Sequence, residues 1–234
     1  MPRRATRLWH VPDSPATLPM FPLNAVLFPG VSVPLHVFED RYRALVHHLL
    51  RIEDPTERVV GSVAIREGYE VGAHGAQSIY RIGVRLQLAE AEANPDGSFD
   101  IVAVGRDRIE LDRLEVSGLF PVGQVSELPE PEVEVAEELL DRVRATFTAY
   151  RSAVSELRPD PYTGTLPRDA GYLAWTLAAC APLPLSERQQ LLEATDAGER
   201  IALVNELLRS ELRAMNVIPS LPATEVARTR WSPN

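Results

Sequence analysis

The chain changes its hydrophobic period once, and that switch limits its fold more than any other feature. From Leu18 to about Leu128 the signals are mainly those of strands, with alternating apolar residues at their clearest; from Glu132 apolar residues recur at every third or fourth position. Alternation marks half-buried strands, and 3–4 spacing marks amphipathic helices. Strands followed by helices predict an α+β fold.

The strand half is clearest in "VRLQLAEAEANPDGSFDIVAVGRDRIELDRLEV", from Val84 to Val116. Val84, Leu86 and Leu88 alternate with polar residues. Asn94-Pro95-Asp96-Gly97 then supplies a turn, because Pro presets φ and Gly accepts φ > 0. Phe99, Ile101 and Ala103 alternate back, and Ile109 and Leu111 continue the run. "VSVPLHVF", "RVVGSVAIR" and "PVGQVSEL" read as further strands, the first an edge or bulged one because it carries Pro34. One helix interrupts, "RYRALVHHLL", with Asp40 as its expected cap and Tyr42, Leu45, Val46 and Leu49 on one face. Six or so short strands with one helix suggest a small closed or half-closed barrel.

Before them lies "LPMFPLNAVLFPG", Leu18 to Gly30, with three prolines among apolar residues. Pro fixes φ and has no N–H, so neither a regular helix nor a central strand runs through it. Its apolar surface either closes the barrel or stays exposed to bind an extended peptide; the structural reading is favoured.

In the helical half, Ala136, Leu139, Val143, Phe147, Tyr150, Val154 and Leu157 mark one long helix. Its first turns are acidic, which suits the positive end of the macrodipole. "PRDAGYLAWTLAACAPLP" is a second helix. Ser186-x-x-Gln189 and Asp196-x-x-Glu199 read as capping boxes opening two more. These helices must bury their stripes against one another or the barrel.

The totals exclude several chemistries. All 24 basic residues are Arg, and the 234-residue chain contains no Lys. That leaves no P-loop lysine, no Ser–Lys dyad and no Schiff base. The single Cys, Cys180, reads as a structural residue of an apolar helix and permits no internal disulfide. Net charge is −9, which opposes a broad phosphate-binding surface. The N-terminus lacks an apolar run, so no signal peptide is expected, and no stretch approaches the apolar length of a membrane span. A cytoplasmic protein is the expectation.

"LPMFPLNAVLFPGVSVPLHVFEDRYRALV" resembles the opening of the Lon protease N-terminal, or substrate-binding, domain. The resemblance continues through "GSVAI", "NPDGSFDIVAVGRDRIEL", "FPVGQVSELPE" and "LPRDAGYLAWTLAACAPLPLSERQQLLEATDAGERIALVNELLRSEL". It implies a PUA-like β pseudo-barrel followed by an α-helical bundle subdomain. In proteins of this type the Pro-rich segment is an edge strand whose bends wrap the barrel. With no AAA+ or protease part and no Lys for either, the chain resembles stand-alone bacterial members, and proteolysis and ATP hydrolysis are expected to be absent. The expected organisation is a flexible arm (1–17), a barrel subdomain (18–129), a helical subdomain (130–216) and a flexible tail (217–234).

The function this implies is non-catalytic binding of polypeptide, in protein quality control; the alternative is a PUA-like nucleic-acid-binding module. Phe28, Pro29, Val33, His36, Phe38 and Tyr42 are the candidate peptide-binding residues, at the barrel surface or in the cleft against the helices. Extended peptides can add to a sheet edge. Glu39 and Arg41 read as partners fixing the strand-to-helix junction. No cofactor or metal is expected: the adjacent His47 and His48 point about 100° apart on a helix, and no HxxH spacing exists. Gly72 and Gly75 suit a loop between strands rather than a phosphate cradle. Ser62, Ser78 and Ser117 lack a nucleophile-elbow setting. Arg81, Arg85, Arg106 and Arg108 read as solvated partners of carboxylates rather than an RNA surface.

Overall fold

The computed structural model describes residues 16–66, 79–156 and 164–217. Within them lie strands β1 (Ala16–Pro19), β2 (Ser32–Val37), β3 (Val59–Ile65), β4 (Ile79–Ala93), β5 (Phe99–Glu115) and β6 (Val122–Leu128). They form one antiparallel sheet in the order β1-β6-β5-β4-β3. The alternation holds: Val84, Leu86 and Leu88 of β4 and Phe99, Ile101 and Ala103 of β5 are all buried. Between them the turn forms as its residues dictate. Gly97 takes a φ of 84°, and the Asp96 carboxylate accepts bonds from the Ser98 N–H at 3.0 Å and hydroxyl at 2.7 Å.

Strand β5 serves two neighbours along one edge. Its Phe99–Val104 end pairs with β2, and its Arg108–Glu115 end pairs with β6. Strand β4 runs along its other edge.

The Pro-rich strip closes the curl. Only Ala16–Pro19 is strand, at the sheet edge on β6; beyond it the chain is irregular yet bonded. The Met20 N–H donates to Pro121 O at 2.8 Å, Phe21 N–H to Gly61 O at 2.7 Å, and Leu23 N–H to Val63 O at 3.0 Å. Parallel bridges at Met20–Gly61 and Leu23–Ala64 thus tie the β1 end of the sheet to β3. The side chains part company: Met20 fills the barrel interior with Leu18, Val63, Ile79, Ile109, Leu111 and Val125. Phe21, Val26 and Phe28 instead join the core shared with the helices. The strip therefore cements the barrel to the helical layer as well as closing it.

The helices are α1 (Asp40–Leu50), α2 (Glu137–Ser155), α3 (Ala170–Cys180), α4 (Leu185–Glu193) and α5 (Ala197–Val217). Several starts differ from the sequence expectation. Helix α1 has Glu39 at its N-cap, and Asp40 lies in its first turn, ion-paired with Arg43. Helix α2 begins after Ala136, so Glu132 and Glu134 precede it. Helix α4 begins after Pro184, which supplies a preset φ. Ser186 therefore lies inside the helix, no Ser186–Gln189 box forms, and Gln189 donates to Ile82 O of the barrel at 3.0 Å. The Asp196 box half forms: Asp196 accepts from Glu199 N–H at 2.9 Å, while Glu199 turns to the Thr195 N–H at 2.7 Å. Asp169 caps α3, accepting from Tyr172 N–H at 2.9 Å.

One buried polar cluster fastens helices to barrel. Glu130, just after β6, pairs with Arg108 of β5 at 2.9 Å and with Arg200 of α5 at 2.6 Å. Arg200 is fully buried and also donates to Leu191 O at 2.8 Å and Ala194 O at 3.0 Å. Arg108 donates to Leu192 O at 3.1 Å and Ala194 O at 2.6 Å. Burial pulls both guanidinium pKa values down, and Glu130 opposes that in each. Arg108 is therefore no solvated surface partner, as its spacing had suggested; its strand position faces the joint.

The expected arm and tail lie almost wholly outside the described residues, as do Gly72, Gly75 and Ser78; Ala16 and Thr17 belong to β1.

Candidate functional site

Strand β2 is held on one side. Among the described residues it pairs with β5 alone. Val33 and Leu35 are half-buried and Val37 buried toward the core, while Ser32, Pro34 and His36 face solvent. A groove of about 410 Å³ runs along residues Leu35 to Glu39. Phe21, Leu23, Leu35, Phe38, Tyr42 and Ile65 give it apolar walls, and Asn24, Glu39 and Arg41 a polar rim. Its walls come from β2, the Pro-rich strip, the start of α1 and Ile65 of β3, and none comes from β5.

The strip that closes the barrel also builds this groove. Phe21 packs its ring 4.4 Å from that of Tyr42, and the Tyr42 hydroxyl lies 3.5 Å from Pro22 O. Arg41 lies over the Tyr42 ring at 4.6 Å and pairs with Glu39 at 2.8 Å. Glu39 and Arg41 thus fix the strand-to-helix junction, as their spacing suggested. Burial pushes the Tyr42 phenol up, and Arg41 partly offsets this.

A second groove, of about 560 Å³, lies over the outer face of the sheet. The register sets its floor in two rows: His36 beside Asp100 beside Glu92, and Pro34 beside Val102 beside Glu90. Leu35 and His36 line both grooves. The His36 Nδ1 lies 2.7 Å from an Asp100 carboxylate oxygen, and Asn94 Nδ2 donates to the other at 2.8 Å. The Asn94 bond first, and His36 second, hold the Asp100 carboxyl below the usual range, so it stays anionic. Phe38 stacks on His36 with centroids 6.0 Å apart and is 66% exposed.

The candidate residues read from sequence divide. His36, Phe38 and Tyr42 line the edge groove, and Val33 lies on the same strand. Phe28 and Pro29 do not reach it. Both are buried, and Phe28 lies 6.1 Å from the Trp175 ring and 4.9 Å from the Arg188 guanidinium. The sequence reading missed Phe21, Leu23 and Ile65 as walls. Phe21 and Leu23 lie in the flagged Pro-rich strip, but nothing local says which of its apolar residues face out.

Other candidates settle as packing. His47 meets Phe99 edge-on at 4.9 Å, and His48 meets Phe120 at 5.2 Å. Among the described residues no group of three His, Cys, Asp or Glu is placed to hold a metal, and no helix is long and apolar enough to cross a membrane. Arg81 pairs with Glu110 at 3.3 Å and Arg85 with Glu127 at 2.9 Å, the carboxylate pairing their spacing suggested.

A curled antiparallel half-barrel, closed by a Pro-rich strip and backed by helices, matches one family model over residues 17–210: the ATP-dependent protease La (LON) substrate-binding domain. The chain belongs to that family. Its fold is the PUA-like α+β arrangement of the Lon N-terminal domain. A Lon N-terminal domain protein of Xanthomonas campestris superimposes with a TM-score of 0.60 at 25% identity, over 83% of this chain and 98% of that one. The N-terminal domain of a Mycobacterium avium complex Lon protease gives a TM-score of 0.56 at 18% identity, over 83% and 98%, a likeness of fold. Lon protease of Anaeromyxobacter dehalogenans is 28% identical over 227 residues, 93% of this chain and 26% of its own length. Lon protease 2 of Herpetosiphon aurantiacus is 27% identical over 205 residues, 86% of this chain and 24% of its own. The chain thus spans about a quarter of the length of these relatives.

Proposed function

We propose that this Lon-type domain binds extended polypeptide, without catalysis, along the free edge of β2. The observation that carries the reading is the 410 Å³ groove, apolar-walled and polar-rimmed, beside a strand whose second edge no described strand pairs with. An unpaired edge offers backbone N–H and C=O groups, and a peptide that adds to it gains ladder hydrogen bonds while its side chains enter pockets. His36, Phe38 and Tyr42, with Phe21, Leu23, Leu35 and Ile65, form the contact surface; residues 18–129 carry it and 130–216 brace it as a second subdomain. Exposed apolar segments are what unfolded chains offer, which supports a role in protein quality control, with the cytoplasm as its expected setting.

Nucleic acid is the weaker reading, because Arg81 and Arg85 are already paired with carboxylates. The test is fluorescence anisotropy with a labelled, permanently unfolded protein against the parent chain and Phe38→Ala. Saturable binding that weakens at least fivefold in the variant supports the reading. No binding to the parent chain, or binding indifferent to Phe38→Ala and to Leu23→Asp, overturns it.

A further inference from the structure

The geometry points to a charge code at the β2 edge: an extended segment whose residues alternate apolar with basic. This rests on the edge-groove reading above and specifies its ligand. A strand added to β2 continues the pleat, so its side chains point alternately to the two faces of the sheet. At this edge the two faces differ in kind. One face opens on the apolar groove of Phe21, Leu23, Leu35, Tyr42 and Ile65. The other continues the outer face, where Glu90, Glu92 and Asp100 line the second groove with no arginine among its lining residues.

The register brings Asp100 within range, with Glu90 and Glu92 one strand further, at about 14 Å. Side chains directly opposite one another share a face, so a ligand residue opposite His36 joins the His36–Asp100–Glu92 row. Neighbouring strands lie about 4.8 Å apart. The ligand position is therefore roughly 10 Å from Asp100 along the sheet, a gap that a long Arg or Lys stem spans while keeping its charge in water. Phe38 adds an exposed ring beside His36, a face on which a guanidinium can stack. Asp100 stays charged because Asn94 and His36 hold it so. Pro34, which offers no N–H, bounds the pairable stretch; the β2 lining of the edge groove begins at Leu35. A core of four or so residues, apolar–basic–apolar–basic, is what this short edge reads.

The net charge of −9 attracts any basic peptide, so the test must locate the effect. Two labelled peptides with the same apolar residues, one alternating with Arg and one with Glu, are titrated by anisotropy at low and physiological salt. The proteins are the parent chain, Asp100→Asn in the outer groove, and Glu137→Gln/Glu138→Gln at the exposed start of α2. The expected result is at least tenfold tighter binding of the Arg peptide, a preference that falls at least threefold in Asp100→Asn and stays in Glu137→Gln/Glu138→Gln. Equal affinity for the two peptides leaves the edge groove standing and overturns the charge code. A preference lost equally in both charge variants overturns it too, as general attraction. Binding of neither peptide removes the groove reading and the code together, and sedimentation showing the edge already occupied by a second copy does the same.

Discussion

The Arg200 guanidinium lies 3.3 Å from the centre of the Trp175 ring, with both residues buried between barrel and helices. Arg108 approaches the same ring at 5.9 Å, and Glu130 pairs with both arginines. Two cations are thus held in the joint by one carboxylate, one indole and a set of helix-end carbonyls. Removing the carboxylate leaves both charges in place without it. Glu130→Ala is expected to cost about 3 kcal/mol, the low end for a broken buried pair, because the Glu130 side chain is itself 29% exposed and water can partly replace it. Urea unfolding followed by Trp fluorescence measures it. A double-mutant cycle of Glu130→Ala with Arg200→Met should return a coupling of at least about 1 kcal/mol. A coupling near zero would mean the helix carbonyls alone hold Arg200.

Gly105 is where the Pro-rich strip meets β5. Its N–H donates to Val31 O and its carbonyl accepts from Gly30 N–H, both at 2.9 Å. A Cβ placed there would strike the Phe28 carbonyl oxygen and crowd Pro29. Backbone atoms cannot swing aside as a flexible side chain can, so Gly105→Ala should cost about 2 kcal/mol or more, as overpacking does. Gly118→Ala, whose new methyl would meet nothing nearer than Phe120 O at 3.4 Å, is the control and should stay within about 0.5 kcal/mol. Equal midpoints for the two variants would refute the close approach.

Much of this was legible in the sequence because it depends on local chemistry. The alternation of Val84, Leu86 and Leu88, the Asn94–Gly97 turn and the 3–4 spacing of Val143, Phe147, Tyr150 and Val154 all encode burial at fixed periods, and these residues are buried or turned as read. What was not legible depends on partners distant in the chain. Arg108 resembles Arg81 and Arg85 in sequence pattern, yet unlike those two it meets carbonyls at the end of α4 and just beyond it, 84 to 87 residues away. Phe28 and Phe38 look equivalent as aromatic residues beside β2; one packs on Trp175 and the other is exposed. Which side of the strip faces the helices is a tertiary fact, and no local period records it. The Ser186 box failed for a local reason: Pro184 starts the helix earlier, leaving the serine inside it.

The cap of α5 predicts a response to acid. Glu199 accepts from the Thr195 hydroxyl at 2.6 Å and its N–H at 2.7 Å, and these bonds, the hydroxyl's foremost, hold its carboxyl below the usual range. A carboxylate lowered on folding stabilises the folded state above its unfolded pKa, roughly pH 4, and that contribution disappears as the pH falls through the lower folded value. Glu199→Gln should therefore be less stable than the parent near neutrality, with the difference shrinking below about pH 4. Urea midpoints taken across the acid range read this directly. A difference that persists unchanged in acid would assign the loss to packing instead of charge.

Pro34 occupies the middle of a strand whose second edge has no described partner. Proline within a sheet is confined to edges, where its missing N–H denies a ladder bond to any incoming strand. At this position it separates the groove-lining half of β2, from Leu35 onward, from Ser32 and Val33. A longer continuous edge is a template for pairing between copies, which short or interrupted edges resist. Pro34→Thr restores a donor and adds a residue suited to strands, so it should extend the pairable edge from about four residues to the whole of β2. Sedimentation velocity across a concentration series is expected to show the variant shifting to larger species while the parent does not. Thermal unfolding should show little loss, since Pro34 is exposed and its removal opens no cavity. An unchanged sedimentation profile would mean that the β2 edge is protected by something other than this proline, and the short reading frame assigned to the peptide groove would then have to be longer.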